Sequence, residues 1–179
     1  PVELSGRFAR ARDVDEGRHA KFTFVGPRLS LTGTNADEWL PARGGTAGLV
    51  ALAVARVVAE ARGGATAREL GQTLVPYTPD RVAGRSGVRA DRIRALGEEI
   101  AAADRPVALP PGPAERGSAA TDAHVAVALL NHVAGATGTT VRFGSGPVRG
   151  PAATLRQMTD LAERMRGGDV STLLVAGTN

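Results

Sequence analysis

The stretch from Phe22 to Arg62 constrains the fold more than any other. A strand-like run, "FTFVGPRLSL", leads into the loop "TGTNADEWLPARGGTAG" and then into the long apolar segment "LVALAVARVVAEA". Phe22 to Val25 mix β-branched and aromatic residues and suit a buried strand, and Glu38 to Pro41 suit a short second one. Thr46 stands where it would cap a helix running to about Arg62. Its Leu49, Val50, Ala53, Val54, Val57 and Val58 form one stripe, and Gly63-Gly64 ends it. A loop placed between strand and helix suits the grip of a phosphate or nucleotide at the helix start. Yet this one carries no lysine, no P-loop spacing and no histidine.

The remainder alternates in the same manner. Residues 1–21 are a charged, irregular lead-in. Gly64 to Ser86 reads as a connection with at least one short helical piece near Ala67 to Gln72. A helix from Ala90 to Ala103 follows, with Ile93, Leu96 and Ile100 on one face. "PVALPPG" reads as strand and turn, Thr121 to Ala134 as a helix, and "TTVRF" as a strand. Pro151 to Arg166 reads as a helix with Leu155, Met158, Ala162 and Met165 on one stripe, and "VSTLLVAG" as a closing strand. Strands alternating with helices of this length predict a parallel sheet covered on both faces. The expected class is α/β, a Rossmann-like parallel sheet, with residues 22–179 as a single domain.

Bulk properties remove several kinds of function. The 179 residues are enough to bury a core, and that core must be aliphatic because only 3% are aromatic. With no cysteine there is no disulfide, zinc finger, iron–sulfur ligation or thiolate metal ligand in this segment. The net charge of +4 comes from 22 basic and 18 acidic residues interleaved along the chain, which reads as a solvated surface and not as a nucleic-acid-binding face. No apolar run reaches the roughly 20 residues that span a bilayer, so direct membrane insertion is not expected. The chain opens at Pro1 without a methionine and stops at "LLVAGTN", as expected of a piece of something longer.

Local motifs give no active site. "FGSGPVRGPAATL" has a glycine-rich turn before a helix, but Gly144-x-Gly146-x-x-x-Gly150 is one residue longer than the dinucleotide fingerprint, and the next strand ends without a ribose-binding carboxylate. His124 and His132 lie two turns apart on one helix, too far to share a metal, and His19 sits in the charged lead-in. The serines occupy no nucleophile elbow. Asp37 and Glu38 are adjacent in a strand and point to opposite faces, so Asp37 reads as closing a turn.

Taken in order, several stretches carry a resemblance. "VGPRLSLTGTNADEWLPARGGTAGLVALAVARVV" resembles the segment of molybdopterin oxidoreductases (the dimethyl sulfoxide reductase family) that reads D-P-R, then A-D-x-W-L-P-I-R-P-G-T-D, then an alanine-rich helix. "YTPDRVAGRSGVRADRIRALGEEIAAADRPVAL" is similar to that family's next stretch. "VALLNHVAGATGTTVRF" resembles its leucine-asparagine helix ending in G-N-x-G, and "MRGGDVSTLLVAGTN" its strand ending in G-x-N-P. The resemblance covers Phe22 to Asn179. Within the superfamily it is most like the molybdopterin-type subunit of the quinol-oxidising alternative complex III. That subunit is understood to lack the molybdenum cofactor and to carry its iron–sulfur clusters elsewhere in the polypeptide.

The resemblance implies a site at which this chain departs from the pattern. In cofactor-loaded relatives the acids of D-P-R and P-G-T-D help hold the guanosine end of the pterin dinucleotide. Here they are Gly26 and Ala47, and the proline of P-G-T-D is Gly44. Each charge-assisted hydrogen bond is worth roughly 1.5–3 kcal/mol, so losing two costs on the order of 3–6 kcal/mol, about 100- to 10,000-fold or more in affinity. Two readings stand. The first is a structural module of a respiratory electron-transfer complex, non-catalytic by itself and without cofactor in this segment. Its partners would be other domains of the same polypeptide and subunits of a membrane-bound complex, on the extracytoplasmic face of a bacterial membrane. The alternative is a working part of a molybdenum oxidoreductase that binds molybdopterin guanine dinucleotide through backbone amides and Arg28, Arg43, Gly45 and Thr46, with its metal ligand outside this chain.

Overall fold

A computed structural model describes residues 2–13, 15, 17, 20–111, 118–144 and 153–175. They fall into two compact units, Pro1–Arg142 and Phe143–Asn179. The described residues are α/β, with seven α-helices and one two-stranded parallel sheet.

In the first unit, strand β1 (Thr23–Gly26) pairs with strand β2 (Glu38–Pro41) in parallel, Phe24 beside Trp39 and Val25 beside Leu40. Because side chains alternate along a strand, Val25 and Leu40 share the face that packs on the core, and Phe24 and Trp39 share the other. Both strands stand where the sequence predicts, each within a residue.

The helices after the lead-in are numbered from α2 (Ala47–Arg62) onwards. The apolar stripe of α2 is wider than predicted: Val50, Ala53, Val54, Ala55 and Val58 are all buried. The reason is its position, since α3 (Gly64–Leu74), α4 (Pro79–Ser86), α5 (Ala90–Ala102) and α6 (Ser118–Val133) all pack against it. Small residues let these helices come close. A Cβ on Gly48 would lie 3.0 Å from the Ala123 backbone on α6. Ile93 is fully buried, with Leu96 and Ile100 packed against the same core, as the stripe on α5 predicts.

Three expectations are corrected or made fuller. The lead-in is not wholly irregular, because Val2–Arg10 forms helix α1, with Arg7 and Arg10 in its last turn where cations suit the helix dipole. The connection between residues 64 and 86 is two helices. The second, α4, is capped by Thr78, whose Oγ1 accepts from the Arg81 amide, has Pro79 in its first turn, and stops at Gly87 with φ of 80°. The third concerns the sheet: among the described residues, 106–111, 139–143 and 170–175 form no ladder, apart from one bridge between Thr137 and Val141. An extended run becomes a strand only when another backbone lies beside it. Residue 108 is instead held by a side chain. Its amide donates to Asn131 Oδ1 and its carbonyl accepts from Asn131 Nδ2, both at 2.8 Å.

The second unit contains α7 (Leu155–Arg166), which starts later than Pro151. A capping box sets that start: Thr154 N donates to Gln157 Oε1, and Gln157 N to Thr154 Oγ1. Met158, Leu161 and Met165 face Leu173 to Val175 across an open apolar groove. The turn from Ser145 to Ala152 and His19 lie outside the described residues.

Candidate functional site

The carboxyl ends of β1 and β2 lie side by side, Gly26 opposite Pro41, so the loops after both strands leave the same edge of the sheet. That edge is where open parallel sheets place ligands. Arg28 follows β1 by two residues and is exposed; Arg43, Gly45 and Thr46 follow β2. The topology therefore brings the sequence-predicted residues to one edge.

Arg43 turns towards α4. Its Nη1 donates to the carbonyls of Gly84 and Arg85 at 2.9 and 3.0 Å, and its backbone amide donates to Ser86 O at 2.8 Å. These are carbonyls of the last turn of α4, which have no helical partner and attract a cation. Gly45 adopts φ of 75°, a left-handed conformation that glycine reaches without strain. Thr46 sits at the N-cap position of α2 but does not cap it, contrary to expectation. Its Oγ1 donates to Arg43 O at 2.6 Å and closes the loop instead, which leaves the first turn of α2 without a side-chain cap.

The β1 side of the edge is filled by aromatics that sequence reasoning overlooked. Trp39 Nε1 donates to Gly26 O at 3.0 Å, and the Ala42 amide donates to the same carbonyl at 3.2 Å. The Phe24 ring reaches along the strand. A Cβ on Gly26 would lie 3.1 Å from its Cε1, and one on Gly33 would lie 2.9 Å from its Cδ1. The loop from Ser30 to Asn35 is folded onto that ring, with the Gly33 amide donating to Ser30 Oγ and Asn35 Nδ2 to Leu31 O. The i, i+2 spacing of Phe24 and Gly26 was the available signal.

Asp37 and Glu38 are engaged in separate networks. Asp37 takes both guanidinium nitrogens of Arg12 and the amide of Phe22, closing the turn before β2. Glu38 pairs with Arg92 of α5 and with Lys21 at 3.0 Å, and Lys21 also reaches Glu99. Burial pushes the Glu38 carboxyl up, but the hydrogen bonds from Arg92 and Lys21 outweigh it and hold it below its ordinary value. Lys21 is raised, chiefly by its bond to Glu99. These are structural ties and not an acid–base pair. His124 and His132 stand exposed on α6, His124 with Nδ1 2.7 Å from Ala120 O. Among the described residues no group of three His, Asp or Glu could hold a metal ion.

No family model matches the chain. It is 31% identical over 113 residues to the menaquinone reductase molybdopterin-binding-like subunit of Nitratidesulfovibrio vulgaris, an alignment covering 62% of this chain. The chain is related to the molybdopterin oxidoreductases. This molybdopterin oxidoreductase-like chain spans 16% of that relative's length. In fold it is similar to acetylene hydratase from Pelobacter acetylenicus, with a TM-score of 0.57 and 24% identity over 75% of this chain and 19% of that one.

Proposed function

We propose that this chain is a non-catalytic α/β part of a molybdopterin oxidoreductase-like subunit in a respiratory electron-transfer complex, and that its guanosine site is vestigial. One observation carries the reading. Arg43, the cation available in the loop before α2, directs its guanidinium to the carbonyls of Gly84 and Arg85 and so stabilises α4. Gly26 and Ala47, in place of the family's acids, add no acceptor for guanine N–H groups or ribose hydroxyls. The residues present do not fit the guanosine end of a pterin dinucleotide, so no reaction step is assigned to that group.

In this proposal the two-stranded sheet is the kernel of a Rossmann-like sheet within one domain, residues 22–179, with Ala108 already held by Asn131. Iron–sulfur clusters belong to other parts of the polypeptide, and the partners are those parts and neighbouring subunits at the extracytoplasmic face of a bacterial membrane. A relative that is a subunit of menaquinone reductase supports this, as do exposed apolar residues such as Leu31 and Leu109. Among the described residues no helix is long and apolar enough to cross a membrane.

A second reading keeps the cofactor, held by Arg28, Arg43, Gly45, Thr46 and the amides of α2. The uncapped first turn of α2 favours it. Molybdenum and guanine-nucleotide analysis of the purified full-length protein decides between them. Contents near zero support the vestigial site, and stoichiometric molybdopterin overturns it.

A further inference from the structure

We propose that Phe24 is a built-in plug of the β1 edge, and that Gly26 and Gly33 are glycines because its ring lies against both. This rests on the reading of the edge as a vestigial guanosine site and adds a steric cause to the loss of acids. Phe24 and position 26 project from the same face of β1, since they are two residues apart on a strand. Any side chain at 26 must therefore share that face with the ring, whose Cε1 and Cζ would stand 3.1 and 3.2 Å from its Cβ. From the other side, Gly33 brings its backbone so near that a Cβ would lie 2.9 to 3.1 Å from Cδ1, Cε1 and Cγ. Gly26 and Gly33 are both buried. The hydrogen bonds from Gly33 N to Ser30 Oγ and from Thr34 N to Ser30 O hold the loop in this position. The ring thus occupies the volume into which a carboxylate at 26 would extend. Restoring the acid alone places it against an aromatic edge.

The test measures guanosine diphosphate affinity by calorimetry on the full-length protein carrying Gly26→Asp and Ala47→Asp, with and without Phe24→Leu. Removing the ring is expected to raise the affinity by about tenfold or more. Equal affinity with and without Phe24→Leu, including no binding in either, overturns the plug. A second measurement reads the contact itself: Gly33→Ala should lower the thermal midpoint with Phe24 present and have little effect beside Phe24→Ala, which removes Cγ, Cδ1 and Cε1 together. An equal loss in both backgrounds also overturns it. Binding of guanosine diphosphate by the unmodified protein would remove the vestigial reading; the plug would then fall as well if Phe24→Leu left that affinity unchanged.

Discussion

Gly97 of α5 meets Val57 of α2 so closely that a Cβ at 97 would lie 2.6 Å from both Cβ and Cγ1 of Val57. The two helices cross with a glycine as the only residue that fits. Gly97→Ala is expected to destabilise the first unit by about 1–3 kcal/mol through overpacking, despite alanine's better helix propensity. Trimming Val57 to alanine in the same protein should recover part of that loss. Chemical denaturation of the two single variants and the double variant measures the coupling.

Arg62 gathers three helix ends. From the last turn of α2, its Nε donates to Ala101 O at 3.0 Å, its Nη1 to Ala134 O at 2.8 Å, and its Nη2 to Ala103 O at 2.8 Å. These carbonyls lie at or just beyond the ends of α5 and α6. Arg62→Met keeps much of the stem and removes the donors, with an expected cost of about 1–3 kcal/mol. Hydrogen exchange should show faster opening in the last turns of both helices, and unchanged exchange there would refute the clamp.

Asn131 is buried and holds Ala108 by both backbone groups. Asn131→Leu keeps the branched shape but orphans the Ala108 amide and carbonyl, for an expected loss of about 1–3 kcal/mol. Asn131→Asp sets a buried carboxylate oxygen against the Ala108 carbonyl and should cost at least as much. Protection of the Ala108 amide is the direct readout.

Glu38 ties β2 to α5. Its carboxyl lies below the ordinary 4.5, so the bond to Arg92 stabilises the fold above that value and is lost as pH falls through the folded-state one. Lys21 has the opposite sign: raised above 10.5, it contributes fully below that pH and loses its contribution as pH climbs through its folded value. The stability gap between the unmodified protein and Glu38→Gln should therefore narrow as the pH falls below the ordinary 4.5 towards the folded-state value. A gap constant over that range would exclude the tie as a source of acid sensitivity.

The helices α2, α5, α6 and α7 were readable because apolar spacing repeats locally, as in Ile93, Leu96 and Ile100. Helix α4 was also written in the chain, through Thr78-Pro79 before it and Gly87 after, but its eight polar-rich residues gave no stripe to find it by. At the candidate site the sequence placed Arg28, Arg43, Gly45 and Thr46 in loops after strands, and the family resemblance implied acids at the positions of Gly26 and Ala47. It could not say where Arg43 points, because the carbonyls it meets are about forty residues away in the chain.

The sequence by itself determined the elements whose signals are local: helices with periodic apolar faces, two short strands, and glycine where φ is positive. Only the tertiary structure decided which extended runs pair, which cation closes which helix, and that Phe24 covers Gly26 and Gly33. Pairing and carbonyl capping depend on groups distant in the chain, and the ring contact on how the loop from Ser30 to Asn35 folds back over β1; those distances exist only once the elements have come together.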